Sequence, residues 1–210
     1  MPGLAAIAVF VNPLLETVPK ILRDKDTRKM PLLPFSAMAA QSMVWGTYGI
    51  LTAAPSVMCP NIFGVVLGLF YCYIFARFCP KGADWLPSTL SAHTAVVLVT
   101  FLTCVVGILC VPARIAAPAM GLAGNAGNII MGAGPLASIQ TVLAERDTQS
   151  LAFGFTCCLA VNSLLWVIYG MGMVGDALIW VPNAVGLVMS GLQLSLFARF
   201  GFGPRKDPNA

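Results

Sequence analysis

An internal repeat constrains this chain more than any single motif in it. Residues from about Pro13 to Phe78 recur in the same order from about Pro135 to Phe200. At a spacing of 121, Asp26-Thr27 falls on Asp147-Thr148, Trp45 on Trp166, and Tyr48-Gly49 on Tyr169-Gly170. One inserted residue later the spacing is 122: Pro60-Asn61 meets Pro182-Asn183, Gly64 meets Gly186, and Phe75-Ala76-Arg77-Phe78 meets Phe197-Ala198-Arg199-Phe200. Tryptophan, tyrosine and asparagine are uncommon residues, so their ordered return marks duplication rather than chance.

What is duplicated is apolar. Hydrophobic residues make up 58% of the chain and charged residues 10%, far from the mix of soluble domains. A helix needs about 20 mostly apolar residues to cross a bilayer, and seven stretches meet that length, at about 4–21, 33–53, 58–78, 89–111, 115–142, 151–172 and 178–198. A soluble helical bundle needs a polar outer face on each helix; 89–111 and 178–198 have none. The expectation is an all-α membrane protein. The first stretch follows no basic residue and carries Pro13 and Glu16 within it, so it reads as a span rather than a cleavable signal.

Each repeat therefore holds three spans, and three is an odd number. Two such units share one orientation only if span four carries the chain back across the membrane between them. The predicted architecture is 3+1+3: a first repeat over 1–80, a linker helix over 81–112, a second repeat over 113–202 and a tail over 203–210. Eleven of the twelve basic residues, among them Lys20, Arg23, Lys25, Arg77, Arg146 and Arg199, fall on one side of this layout, with Arg114 the exception. The positive-inside rule makes that side cytosolic; the amino terminus is then extracellular or lumenal. Asp24 and Asp26 interrupt the basic run, so topology explains it better than a lipid-binding or nucleic-acid patch, and no nucleic-acid partner is expected. Parallel repeats are a known transporter plan, with the substrate near the midplane.

The matched polar residues are the candidates for chemistry. A buried amide must be hydrogen-bonded, and asparagine offers two donors and an acceptor, so Asn61 and Asn183 suit the hydroxyls of a neutral ligand; helix–helix glue is the bland alternative. Trp45 and Trp166 each stand three residues before a tyrosine and four after an amide, Gln41 and Asn162. Flat rings and amides on matching faces suggest a pocket for something polyhydroxylated and uncharged. Pro13 and Pro135 break the first helix of each repeat, and their paired placement favours a hinge over a static kink. Glu16 is the one acid clearly inside a span; it either pairs with Lys20 or couples protons. His93, the single histidine, reads as an interfacial residue. The seven cysteines form no C-x-x-C pair and read as small apolar core residues, with neither disulfides nor a metal site expected. No span contains a buried Arg or Lys to hold a carboxylate or phosphate, and no nucleotide-binding or hydrolase motif is present. No enzyme activity and no cofactor are expected.

These residues together resemble the SWEET sugar transporters, relatives of the bacterial three-helix SemiSWEETs and of the PQ-loop carriers. Both W-x-x-Y-G motifs (Trp45 to Gly49, Trp166 to Gly170) and both P-N-x-x-G motifs (Pro60 to Gly64, Pro182 to Gly186) are present, with a G-L-A…I-I-M…P-L tract from Gly121 to Leu136. The resemblance covers nearly the whole chain, span four least. It implies energy-independent, bidirectional sugar movement by alternating access. It matches Asn61 and Asn183 to sugar-binding asparagines, Trp45 and Trp166 to pocket positions, Tyr48 and Asp176 to an extracellular gate, and Pro13 and Pro135 to two of four rocking prolines. The third of these prolines is Pro34 or Pro31, and the fourth is replaced by Ala152, which puts cytosolic gating of the second repeat in doubt. Amides at Gln41 and Asn162 resemble hexose carriers, and two tryptophans narrow the cavity, so the expected substrate is a monosaccharide such as glucose or fructose. A PQ-loop carrier of amino acids would need a buried carboxylate and a Pro-Gln pair, which are missing; a non-transporting receptor or assembly subunit would need the matched amides to be glue alone. Gly64 and Gly68 permit close helix packing, and a homo-oligomer is left open.

Overall fold

The computed structural model describes residues 2–27, 32–80, 89–131, 133–148, 151 and 153–202. Helices occupy all the predicted apolar stretches: α1 (Pro2–Asp24), α2 (Leu33–Leu51), α3 (Pro55–Phe78), α4 (Leu90–Leu109), α5 (Ala113–Met131), α6 (Ala133–Glu145), α7 (Phe153–Val167), which runs into a π-helical segment (Ile168–Val174), and α8 (Ala177–Phe200). The predicted fifth span thus corresponds to two described helices, with residue 132 between them outside the described set. Among the described residues, Pro55–Phe78, Leu90–Leu109, Phe153–Val174 and Ala177–Phe200 are long and apolar enough to cross a membrane.

Their outer faces agree. Val96, Val99, Phe101 and Leu102 of α4 are exposed, and Ile129 and Ile130 of α5 are 77% and 75% exposed. Soluble monomers rarely leave contiguous apolar surface on this scale uncovered; lipid is the solvent that tolerates it. This is a membrane protein.

The chain divides into two compact units, Gly3–Gly124 and Asn125–Ala210. In the first, α3 packs on both α1 and α2, and α4 lies against α2. In the second, α8 packs on α6 and α7 and receives a hydrogen bond from α5. The third helix of each repeat is the one its neighbours share.

The motif glycines explain how closely these helices approach. A Cβ on Gly49 would sit 2.6 Å from the Met58 nitrogen, and one on its counterpart Gly170 would sit 2.9 Å from the Trp180 nitrogen. Gly64 likewise faces Ser42, and Gly186 faces Ser163, at matching positions of the two units. Gly68 lies on the backbone of Ala39. The Gly64 and Gly68 face is therefore filled by α2 of the same chain, not left for a second copy.

Two expectations about single residues need correction. His93 is not interfacial: it is 7% exposed, and its Nδ1 lies 2.8 Å from the hydroxyl of buried Ser36, joining α4 to α2. The cysteines are not core residues as a class. Cys104 is buried, but Cys59 and Cys158 on their helices and Cys110 past the end of α4 are exposed. All seven are free.

Candidate functional site

In the first unit, α2 carries Gln41, Trp45 and Tyr48 along one side. The ring of Trp45 meets Tyr48 edge-on, with centroids 5.6 Å apart and planes at 78°. Gln41 donates through Nε2 to the Gly124 carbonyl at 2.9 Å, and Gly124 also lies against the Trp45 ring, where a Cβ would fall 2.7 Å from Cε2. One residue beyond Trp45, Gly46 opens α2 toward α3, and Asn61 Cβ occupies that space. Asn61 is half-buried and donates through Nδ2 to the Val57 carbonyl at 2.8 Å. Gln41, Trp45, Tyr48 and Asn61 are thus brought onto adjoining faces of one helix pair.

The second unit repeats this geometry. Trp166 and Tyr169 meet edge-on at 5.7 Å and 87°, and Asn183 donates to the Ile179 carbonyl at 2.7 Å. Asn162, one turn before Trp166, has a buried Oδ1 with no donor among the described residues. Each motif asparagine follows a proline, so its amide props the carbonyl beside the one that the proline leaves without an N–H. One N–H is used within the helix. The second N–H and the oxygen have no partner among the described residues, which leaves hydroxyl-binding capacity on each amide.

The units differ in the turn before their last helix, and the spacing of the repeat explains it. Between Gly49 and Ala54 the first unit closes its turn with an Ala54 N–H to Gly49 carbonyl bond of 2.9 Å. In the second unit the matching bond runs from Asp176 to Gly170 at 2.8 Å, one residue farther. The extra residue that shifts the repeat from 121 to 122 is absorbed by the π-helical segment, the ordinary fate of a single insertion in a helix. Asp176 then caps α8, its Oδ1 accepting the Leu178 N–H at 2.9 Å; its counterpart Ala54 offers α3 no side-chain cap.

The hinge candidates are less fully placed. Pro34 stands in the first turn of α2, where a proline needs no N–H and bends nothing. Pro13 and Pro135 lie on α1 and α6, but their side chains, like that of Glu16, lie outside the described residues, as do Pro31, Ala152 and Trp85 altogether. Three residues before Pro13, the Phe10 carbonyl accepts a hydrogen bond from the Tyr71 hydroxyl at 2.8 Å. A cavity of about 480 Å³ in the second unit is lined by Leu143, Arg146, Arg199 and Phe200; none of the candidate sugar residues borders it.

Comparison with known proteins decides the family. A family model described as "Sugar efflux transporter for intercellular exchange" matches residues 3–83 and again 118–202. The chain belongs to the SWEET family. Among SWEET relatives, bidirectional sugar transporter SWEET16 of Arabidopsis thaliana is 28% identical over 203 residues, covering 93% of this chain and 84% of its own. Sugar transporter SWEET1 of Xenopus laevis is 26% identical over 180 residues, covering 86% and 82%. A solved eukaryotic SWEET transporter superimposes with a TM-score of 0.82 at 23% identity, over 95% of this chain and 94% of that one; the fold is shared.

Sequence reasoning missed Ser42 and Ser163, Gly124, Asn125 and Tyr71. The serines were detectable, since they recur at the spacing of 121. The others act on residues more than 50 positions away, and no local pattern reports such a contact.

Proposed function

We propose that this SWEET chain carries a neutral sugar, a monosaccharide such as glucose or fructose, across its membrane in both directions without ions or ATP. The two three-helix repeats rock about a linker helix, with the amino terminus extracellular or lumenal and the basic ends of the helices in the cytosol. Asn61 and Asn183 bind the sugar hydroxyls, Trp45 and Trp166 stack on its apolar faces, and Gln41 and Asn162 select its size. Tyr48 and Asp176 gate the outer side, while Pro13 and Pro135 give the helices their bending points.

The observation that carries this reading is the duplicated constellation. Two half-buried amides hold the same bond within their helices, at 2.8 and 2.7 Å, each accompanied by an edge-on Trp–Tyr pair. Such uncharged groups fit a polyol and offer nothing to neutralise an ionised substrate.

Proteoliposomes holding the purified protein should equilibrate labelled glucose or fructose with no gradient imposed. Asn61→Ala and Asn183→Ala should each reduce uptake to the level of empty vesicles, with both variants still eluting as folded protein. Normal uptake by both would remove the amides from the mechanism. Uphill accumulation driven by a proton gradient would replace the uniport reading and bring Glu16 forward.

A further inference from the structure

Pro182 lacks an N–H, so the Leu178 carbonyl, four residues earlier, has no donor from its own helix. In an apolar surround that carbonyl must be met from elsewhere. The group that meets it is the side chain of Asn125 on α5, whose Nδ2 donates to Leu178 O at 3.2 Å. One residue farther along, Ile179 O is held by Asn183 at 2.7 Å. Two amides therefore hold consecutive carbonyls in the turn before Pro182, one from α5 and one from α8 itself.

The first repeat has half of this arrangement. Asn61 props Val57 as Asn183 props Ile179. The first helices match at a spacing of 122, as Pro13 and Pro135 do, and Asn125 then corresponds to Gly3. Gly3 rests on the ring of Pro60, where a Cβ would lie 3.3 Å from Cγ, and it has no side chain to donate. The Asn125 Oδ1 is buried with no donor among the described residues. A group selected only for packing would not leave a buried acceptor unmet; the amide is there for its N–H.

We propose that Asn125 is a positioning residue: by holding the carbonyl that Pro182 releases, it sets the bend of α8 and so the direction in which Asn183 presents its amide. This rests on the sugar-binding role of Asn183 given above. The second repeat consequently has its released carbonyl latched, while Gly3 brings no such donor to the first, so Asn183 and Asn61 are held unequally within their own units.

Hydrogen exchange tests the latch without any sugar. In lipid nanodiscs, Asn125→Leu and Asn125→Ala should exchange on the order of five-fold faster than wild type over residues 177–186, with residues 55–64 unchanged. Pro182→Ala returns a backbone donor to Leu178, so adding Asn125→Leu to Pro182→Ala should produce no further change. In the transport assay, Asn125→Leu should raise KM on the order of ten-fold with kcat held within about two-fold. Unchanged exchange in both single variants, or the same increase with and without Pro182, overturns the proposal. If the wild type moves no sugar, the functional reading fails by that result, while the exchange measurements still decide whether Asn125 holds the bend.

Discussion

At the scale of single residues, the motif glycines are spacing devices before they are anything else. Gly49 and Gly170 stand where two helix backbones nearly touch, and only a missing Cβ lets Met58 and Trp180 come that close. Gly49→Ala should force α2 and α3 apart and destabilise the protein by about 1–3 kcal/mol, read as a drop in melting temperature in detergent. An unchanged melting curve would mean that the helices part without cost. Ala53 presents the opposite case. It holds a left-handed φ of 50° at the point where the second repeat has Gly175, at 68°. A non-glycine residue there costs roughly 1–2 kcal/mol, so Ala53→Gly should raise the melting temperature and Gly175→Ala should lower it; the reverse order would refute the matched strain.

At the scale of elements, the π-helical segment is where duplication left its trace. The second W-x-x-Y-G motif leads into Ile168–Val174, while the first stays α-helical to Leu51. Deleting Met173, which is 77% exposed, should return the second unit to the register of the first, with Asp176 closing on Gly170 by the shorter path. Deleting Ile50 from the regular α2 instead slips its motif glycine off Met58. Met173 deletion should therefore lower the melting temperature less than Ile50 deletion, and the opposite ranking would remove the insertion account. The caps of α3 and α8 differ for a related reason: of the two, α8 alone begins with a side chain that accepts a free N–H of its first turn.

At the scale of the whole molecule, the proposal of two like-oriented repeats makes a statement about sidedness. Cys110 is exposed at the end of α4 away from His93, on the side assigned to the exterior or lumen. In cells, a variant retaining Cys110 alone should react with a membrane-impermeant maleimide applied from that side. A variant retaining Cys79 alone, beside Arg77, should react only after permeabilisation. Exchanged accessibilities would invert the topology while leaving the fold untouched.

Much of this protein was legible because membranes reward simple patterns. Apolar length marks the helices, the bias of basic residues suggests their direction, and the recurrence of Trp, Tyr and Pro-Asn picks out the candidate site, all from properties that depend on neighbours close in sequence. The tertiary structure decided what depends on contact between distant segments. It placed His93 inside the first unit on Ser36, turned the Gly64 and Gly68 face inward on α2, and brought Asn125 to the carbonyl of Leu178. Hydrogen bonds of that kind are settled by where helices cross and how near they come, and a crossing joins residues that one-dimensional spacing keeps far apart.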